Sequence, residues 1–139
     1  MDVFKIMNIS ASGMTAQRFR LDIIATNIAN AETTRTETGE PYRRKIPIFS
    51  EYVKMYMGYK EPAGVKVDRV AVDRSPFRLV YDPTHPDADE NGYVKMPNVN
   101  VLREMVDLIN AQRAYEANVT VLNSIKSIAS SALQIGAGG

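Results

Sequence analysis

The chain has 139 residues, a formal net charge of +1 and no cysteine. This length fits one domain, or one compact unit with an insertion. So small a charge argues against a nucleic-acid partner or strong attraction to an anionic membrane, and the missing cysteine excludes disulfides and thiol chemistry. No apolar run approaches the roughly 20 residues of a membrane helix, so no membrane-embedded segment is expected.

The N-terminal residues predict a long helix over residues 4–31. One apolar residue recurs at every seventh position, which is typical of a helical stripe: Met7, Met14, Leu21 and Ile28. Gly13 lies within this segment and costs about 1 kcal/mol relative to alanine in a helix interior. We therefore expect the helix to fray or to begin late, with Ser10 or Ser12 as its cap. The first residues lack the features of a cleaved secretory signal.

Two asparagines, Asn27 and Asn30, lie three residues apart near the predicted end of this helix. Their amides can satisfy the free carbonyl groups of a helix end, or hydrogen-bond to a partner. One interpretation is therefore a polar helix end. The other is a register key, the role that a buried asparagine has in coiled coils.

Residues 32–97 change character and predict a small β-rich insertion with about four short strands. The segment 65–72 alternates valines with one slip, which predicts a strand pair or a bulged strand. The segment 51–59 is ambiguous between a strand and a short helix. The remaining strand candidates are residues 42–49, 78–81 and 93–96.

The turn at residues 87–92 matches the first half of a calcium loop. The twelfth position of such a loop requires a bidentate glutamate, and here it is Asn98. A hydrogen-bonded turn is therefore the preferred interpretation, with calcium binding as the alternative. His85 is the only histidine and cannot form a multi-histidine zinc site. The sequence predicts no enzyme, catalytic residue, cofactor or metal site.

Three adjacent cations, Arg43, Arg44 and Lys45, are typical of a solvated strand face. The alternative is that they meet an acidic neighbour or a phosphate. Methionines at helical spacing indicate adaptable core or interface rather than a metal site.

A second long helix is predicted over residues 98–136. Asn100 is the expected N-cap, Glu104 lies near the positive end of the helix dipole, and Gly136 is the expected first residue after the helix. One apolar stripe repeats every seven residues: Val101, Leu108, Tyr115, Leu122 and Ala129. A second stripe lies beside it: Ala114, Val121, Ile128 and Ile135. A helix with two stripes and few charges needs more than one neighbour.

The predicted fold class is therefore α+β. Long N- and C-terminal helices pack as an antiparallel, coiled-coil-like pair, with a small β-rich insertion between them. The predicted segments are the N-terminal helix at 1–31, the loop and insertion at 32–97, and the C-terminal helix at 98–139.

Three segments carry a resemblance that covers nearly the whole chain: LDIIATNIANAETT, YDPTHPDADENGYVKMPNVN and INAQRAYEAN. Together they resemble the flagellar basal-body rod proteins, and the proximal rod members most closely. The shared N-terminal motif usually continues to Gly-Tyr soon after its threonines, whereas here TTRTETGEPYRR takes that place.

The resemblance implies a structural, non-enzymatic subunit of the proximal rod, the drive shaft of the bacterial flagellum. Such subunits are exported unfolded by the flagellar type III apparatus without a cleaved signal peptide. They polymerise with copies of themselves and with other rod proteins, through their terminal helices, into a shaft that crosses the periplasm and transmits torque.

Subunit packing is assigned on this basis to eight residues: Leu21, Asn27, Ile28, Asn30, Leu108, Tyr115, Leu122 and Ile125. The alternative function is a stand-alone helical hairpin that acts as a binding or adaptor module, with calcium dependence left open.

Overall fold

The computed structural model describes residues 2–138, and this part of the chain holds two long helices and four strands. In chain order they are α1 (Val3–Ala29), β1 (Lys45–Tyr56), β2 (Tyr59–Val72), β3 (Arg78–Tyr81), β4 (Tyr93–Met96) and α2 (Val101–Ala137). The predicted α+β class is confirmed, with a helix at each end and a β insertion between them. The division into segments 1–31, 32–97 and 98–139 stays a prediction.

Helix α1 begins earlier than its sequence suggests. Asp2 is the N-cap, and its carboxylate accepts a hydrogen bond from the Phe4 backbone N–H at 3.3 Å. The expected late start at Ser10 or Ser12 is therefore wrong. Gly13 lies inside the helix and faces Asn118 of α2.

The two helices pack against each other in antiparallel directions. A Cβ atom on Gly13 would lie only 3.0 Å from Asn118 Oδ1, so the glycine permits close approach of the helices. Towards the other end, an ion pair of 3.9 Å joins Arg20 to Asp107. Eight residues of the predicted stripes are half-buried: Met7, Met14, Leu21 and Ile28 on α1, with Leu108, Tyr115, Leu122 and Ala129 on α2. Val101, the first residue of the predicted α2 stripe, is exposed.

Strands β1 and β2 form a long antiparallel ribbon closed by a tight turn. Met57 and Gly58 at the turn have φ values of 48° and 83°, which two-residue hairpin turns require. Pairing shifts register after Ile48 and again after Tyr52, so the predicted bulge is confirmed. The ambiguous residues 51–59 belong to this ribbon. The first strand begins at Lys45 instead of residue 42, and at 12 and 14 residues the two strands are not short.

The ribbon lies along α1, on a different side from α2. Ser12 Oγ accepts a hydrogen bond from the backbone N–H of Val65 at 3.1 Å, and Lys5 forms an ion pair with Glu61. Helix α1 is therefore the central layer, with α2 on one side and the ribbon on another. This explains why residues 6–17 carry no charge.

Strands β3 and β4 form a separate two-stranded sheet with the predicted bounds. Their Tyr81 and Tyr93 rings meet edge to face, 5.3 Å between centroids. The core cluster lies nearby and consists of Ala31, Tyr42 and Val99. This cluster lies where α1 ends and α2 begins, and further buried apolar residues lie within the helices: Ala16, Ile24 and Ala111.

Helix α2 extends past its predicted end. Gly136 lies inside the helix, which ends with Gly138 donating its N–H to the Gln134 carbonyl at 3.0 Å. Within residues 2–138, no atom outside the local helix backbone lies within 4 Å of a Cβ built on Gly136. Between residues 2 and 138, neither helix has the length and apolarity that a bilayer span requires.

Gly64 offers a test of how the ribbon docks on α1. Its φ is +131°, and an added Cβ would lie 2.1 Å from Ser12 Oγ. We expect Gly64→Ala to lower the free energy of unfolding by about 1–3 kcal/mol, because the substitution adds backbone strain and a clash. The matched control is Gly39→Ala, where φ is +81° with nothing within 4 Å. Urea unfolding followed by circular dichroism measures both; equal losses would show that docking does not depend on this contact.

Candidate assembly surface

A buried amide fixes the end of the molecule where the elements meet. The Asn27 side chain is 1% exposed and donates to the Lys45 carbonyl at 2.9 Å and to Glu104 Oε2 at 3.1 Å. Its Oδ1 accepts from the Lys45 N–H at 3.0 Å and from the Tyr42 hydroxyl at 2.8 Å. Two donors and two acceptors are the full capacity of an amide, so Asn27 is completely satisfied. It joins the end of α1 to the starts of β1 and α2.

Glu104 carries the charge of this network. It lies in the first turn of α2, where the positive end of the helix dipole favours a carboxylate, and is 1% exposed. Arg44 Nε donates to its Oε1 at 2.5 Å. The same guanidinium lies 3.6 Å from Asp73 and 3.7 Å from Asp107. We call Asn27, Tyr42, Arg44 and Glu104 the junction.

The charges of the junction perturb two of its own groups. Burial raises the pKa of the Tyr42 hydroxyl, and the nearby Glu104 carboxylate raises it further. Burial acts to lower the pKa of Arg44, but its hydrogen bond to Glu104 and the surrounding carboxylates outweigh this and raise it. Arg44 is therefore firmly a cation and Tyr42 firmly neutral.

The three adjacent cations have three different environments. Arg44 follows the alternative interpretation, since it meets acidic neighbours. Arg43 places its guanidinium 4.0 Å from the centre of the Phe77 ring, an arrangement that attracts a cation to the ring face. Lys45 is exposed and follows the solvated-face interpretation.

The two asparagines, Asn27 and Asn30, also have different environments. Asn27 is a key between elements of one chain. Asn30 is the C-cap of α1, and its amide donates to the Thr26 carbonyl at 2.9 Å, which is the polar helix end. Spacing alone cannot separate them, because the difference lies in what packs against each side chain.

The turn that resembles half a calcium loop has its carboxylates engaged. Asp87 accepts from the Thr34 hydroxyl at 2.7 Å and pairs with Arg35. Asp89 accepts from the backbone N–H groups of Asn91 and Tyr93, both at 2.9 Å. Over residues 2–138, no three His, Cys, Asp or Glu side chains converge as a metal site would require.

Helix α2 exposes large apolar side chains on the sides that α1 does not cover. Near its start, four of them follow the spacing of a single helical face: Leu102, Met105, Val106 and Ile109. We call these four residues the patch. The second predicted stripe is uncovered along the rest of the helix, with Val121, Ile128 and Ile135 exposed. Helix α2 therefore has apolar surface for neighbours at both ends.

The eight predicted packing residues lie elsewhere. Asn27 is buried in the junction, and the other seven are half-buried, six of them apolar residues of the two helices: Leu21, Ile28, Leu108, Tyr115, Leu122 and Ile125. Their packing within one chain does not test their assignment to subunit contacts, which stays a prediction. The patch was not among the predicted packing residues, although its spacing was present in the sequence.

The tip of the β1–β2 ribbon is a further apolar surface. Met55, Tyr56, Met57 and Tyr59 are all more than half exposed. Methionine and tyrosine are enriched at protein interfaces.

Comparison with known proteins identifies the family. Residues 7–35 match the family model described as flagella basal body rod protein, and residues 90–135 match the flagellar basal body rod FlgEFG protein C-terminal model. The chain is 46% identical to the flagellar basal-body rod protein FlgC of Borreliella burgdorferi, over 97% of this chain and 98% of that one. It is 47% identical to that of Bacillus subtilis, over 98% and 99%, and 43% identical to that of Salmonella typhimurium, over 98% and 99%.

The chain belongs to the FlgC family of flagellar basal-body rod proteins. The predicted resemblance is confirmed. As a FlgC-family member, the chain is a structural subunit of the flagellar rod, and this membership implies assembly with other rod components. The relatives give no support to the stand-alone adaptor.

The junction of this FlgC-family chain predicts unequal roles for its two asparagines. Asn27→Ala should lower the free energy of unfolding by about 2–4 kcal/mol, because it leaves buried polar groups unpaired. The matched control is Asn30→Ala, which removes one partly exposed cap and should cost less than about 1 kcal/mol. Urea unfolding measures the free energy of unfolding of both variants and compares the two losses. A loss for Asn30→Ala equal to that for Asn27→Ala would contradict the assignment.

Acid should weaken the same end of the molecule. Hydrogen bonds from the Ser75 hydroxyl and N–H hold the pKa of Asp73 below its usual 3.8. A lowered folded-state pKa means that the ionised form stabilises the fold above about pH 4, and that this contribution is lost as the pH falls through the folded value. In Asp73→Asn, the free energy of unfolding should fall less between about pH 5 and pH 2 than in the wild type. Asp22→Asn, at an exposed position of α1, is the matched control, and an equal change in both variants would contradict the role given to Asp73.

Proposed function

We propose that this rod protein assembles through the uncovered faces of α2, and that its neighbours complete a core which one chain leaves unfinished. The observation that carries the proposal is the total exposed surface. The chain exposes 9804 Å². A compact monomer of 15.5 kDa exposes about 7,200 Å² by the usual scaling of surface with size.

The excess is about 2,600 Å², which is the area of an obligate protein interface. Many of the exposed large apolar side chains lie on α2 and at the ribbon tip. Covering a leucine or isoleucine contributes roughly 1.5–3 kcal/mol, so an array of subunits gains what a single chain cannot. The long α2 helix is therefore a surface for self-association and for contact with other rod proteins.

The proposed mechanical role is the transmission of torque along the rod. Close-packed interiors have low compressibility and pass strain on. The junction supports this role because it ties α1, the ribbon and α2 together through directional, fully satisfied bonds. A force applied to α2 would then be transmitted through the junction to α1 and the ribbon.

The proposed setting is the rod as it crosses the periplasm. The chain would arrive unfolded through the flagellar type III export apparatus without a cleaved signal peptide, and would act without catalysis. The match of the chain to flagellar basal-body rod proteins over nearly its whole length supports this setting.

Ile128 allows assembly to be tested apart from folding. Its side chain is 65% exposed on α2, so Ile128→Asp should change the free energy of unfolding by no more than about 0.5 kcal/mol. Burying a carboxylate at a subunit contact should nevertheless lower association about tenfold or more. Rods counted by electron microscopy, together with swimming, should be lost while export is retained. The control is Ser127→Asp at the adjacent exposed position. Normal rods in Ile128→Asp would remove this face from the interface.

A further inference from the structure

Helix α2 projects beyond α1 at its C-terminal end. Asn27 meets Glu104 and Gly13 faces Asn118, so the antiparallel register places Val3, the first residue of α1, opposite residue 128. Residues 130–137 therefore extend past α1. We call this segment the overhang; it spans about 12 Å at 1.5 Å per residue.

The overhang continues the seam between the two helices, and no helix covers it within the part of the chain that the structure describes. Leu133 follows Ala129 by four residues and so lies on the same face of α2, yet Leu133 is 74% exposed whereas Ala129 is half-buried. The overhang has no charged side chain, and alanine and glycine at 132, 136 and 137 permit close approach. These features of the overhang are typical of a helix end that packs against a neighbour.

The patch lies at the opposite end of the same helix. Its residues, Leu102 to Ile109, span about 10 Å, which matches the length of the overhang. The two surfaces are separated by most of a helix about 55 Å long and cannot meet within one chain. A contact between an end of one molecule and the other end of the next is heterologous and can continue along an axis.

Charge favours the same pairing. The last turn of α2 has no basic residue, so the negative end of its dipole lacks a compensating cation on its own helix. Arg113 is exposed and follows Ile109 by four residues, on the face of the patch. If neighbouring subunits stack with the same polarity, the end of one overhang reaches past Ile109 to this guanidinium.

We propose that the patch binds the C-terminal helix end of an adjacent rod subunit, a segment without charged side chains, in an end-to-end contact. In this contact the Arg113 guanidinium lies at the negative end of the neighbour's helix dipole. This inference rests on the proposed function and specifies one contact of the assembly. The occupant is a helix end like the overhang itself, of which residues 130–135 lie within the C-terminal family match at residues 90–135.

The test is photo-crosslinking in rods isolated from cells that carry p-benzoylphenylalanine in place of Met105. We expect the crosslinked peptide, identified by mass spectrometry, to come from the C-terminal helix end of an adjacent rod subunit. The matched control carries the same probe in place of Ser124, an exposed position in the middle of α2, and should not yield that peptide. Peptides from any other region, or no crosslink at Met105 while Ser124 reacts, would overturn the proposal.

A second arm uses charge and leaves the apolar surface intact. In the Met105 probe background, Arg113→Glu should lower the yield of the C-terminal crosslink about two- to fivefold, as expected for a helix-end charge, and Arg113→Lys should retain it. An unchanged yield in Arg113→Glu would remove the role of Arg113 in this contact. If rods contain the chain but do not give this crosslink, only the end-to-end contact is refuted. If rods from cells that carry the wild-type protein do not contain the chain, the proposed function is refuted.

Discussion

The fold depends on the complete satisfaction of one buried amide. Asn27 uses every donor and acceptor of its side chain on three different parts of the chain. Buried polar groups without partners are costly, so only the register that pairs all four bonds is stable. This constraint sets where β1 starts and how α2 enters, and the helix seam follows from both. Apolar packing alone would tolerate more sliding along the helices.

The ion pair between Arg44 and Glu104, which lies beside this amide, restricts the packing further. Glu104 is buried, and a buried carboxylate needs a cation and hydrogen bonds. Arg44 supplies the charge, while Asn27 supplies the second donor. Truncating either partner would leave a charge in the interior, which gives the junction its specificity. The cluster of buried apolar residues beside this polar centre is small and consists of Ala31, Tyr42 and Val99.

The layers are arranged so that stability and assembly use different surfaces. Helix α1 is enclosed by the ribbon and α2, and its own free side carries mostly small or polar residues. Helix α2 gives only one side to α1. Its remaining apolar side chains are free for neighbours, which fits a subunit whose working state is a rod. A chain that buried both stripes within itself would have nothing left with which to polymerise.

The sequence by itself determined what depends on short-range pattern. Seven-residue repeats placed both helices, turn residues bounded β3 and β4, and three motifs identified the family. The tertiary structure decided what depends on residues far apart in the chain. It separated Asn27 from Asn30, brought Arg44 to Glu104, and showed that Gly13 belongs inside a helix because Asn118 lies against it. It also decided which apolar stripe stays uncovered. Helical periodicity repeats along one segment, whereas burial and hydrogen-bond satisfaction depend on which distant segments pack together.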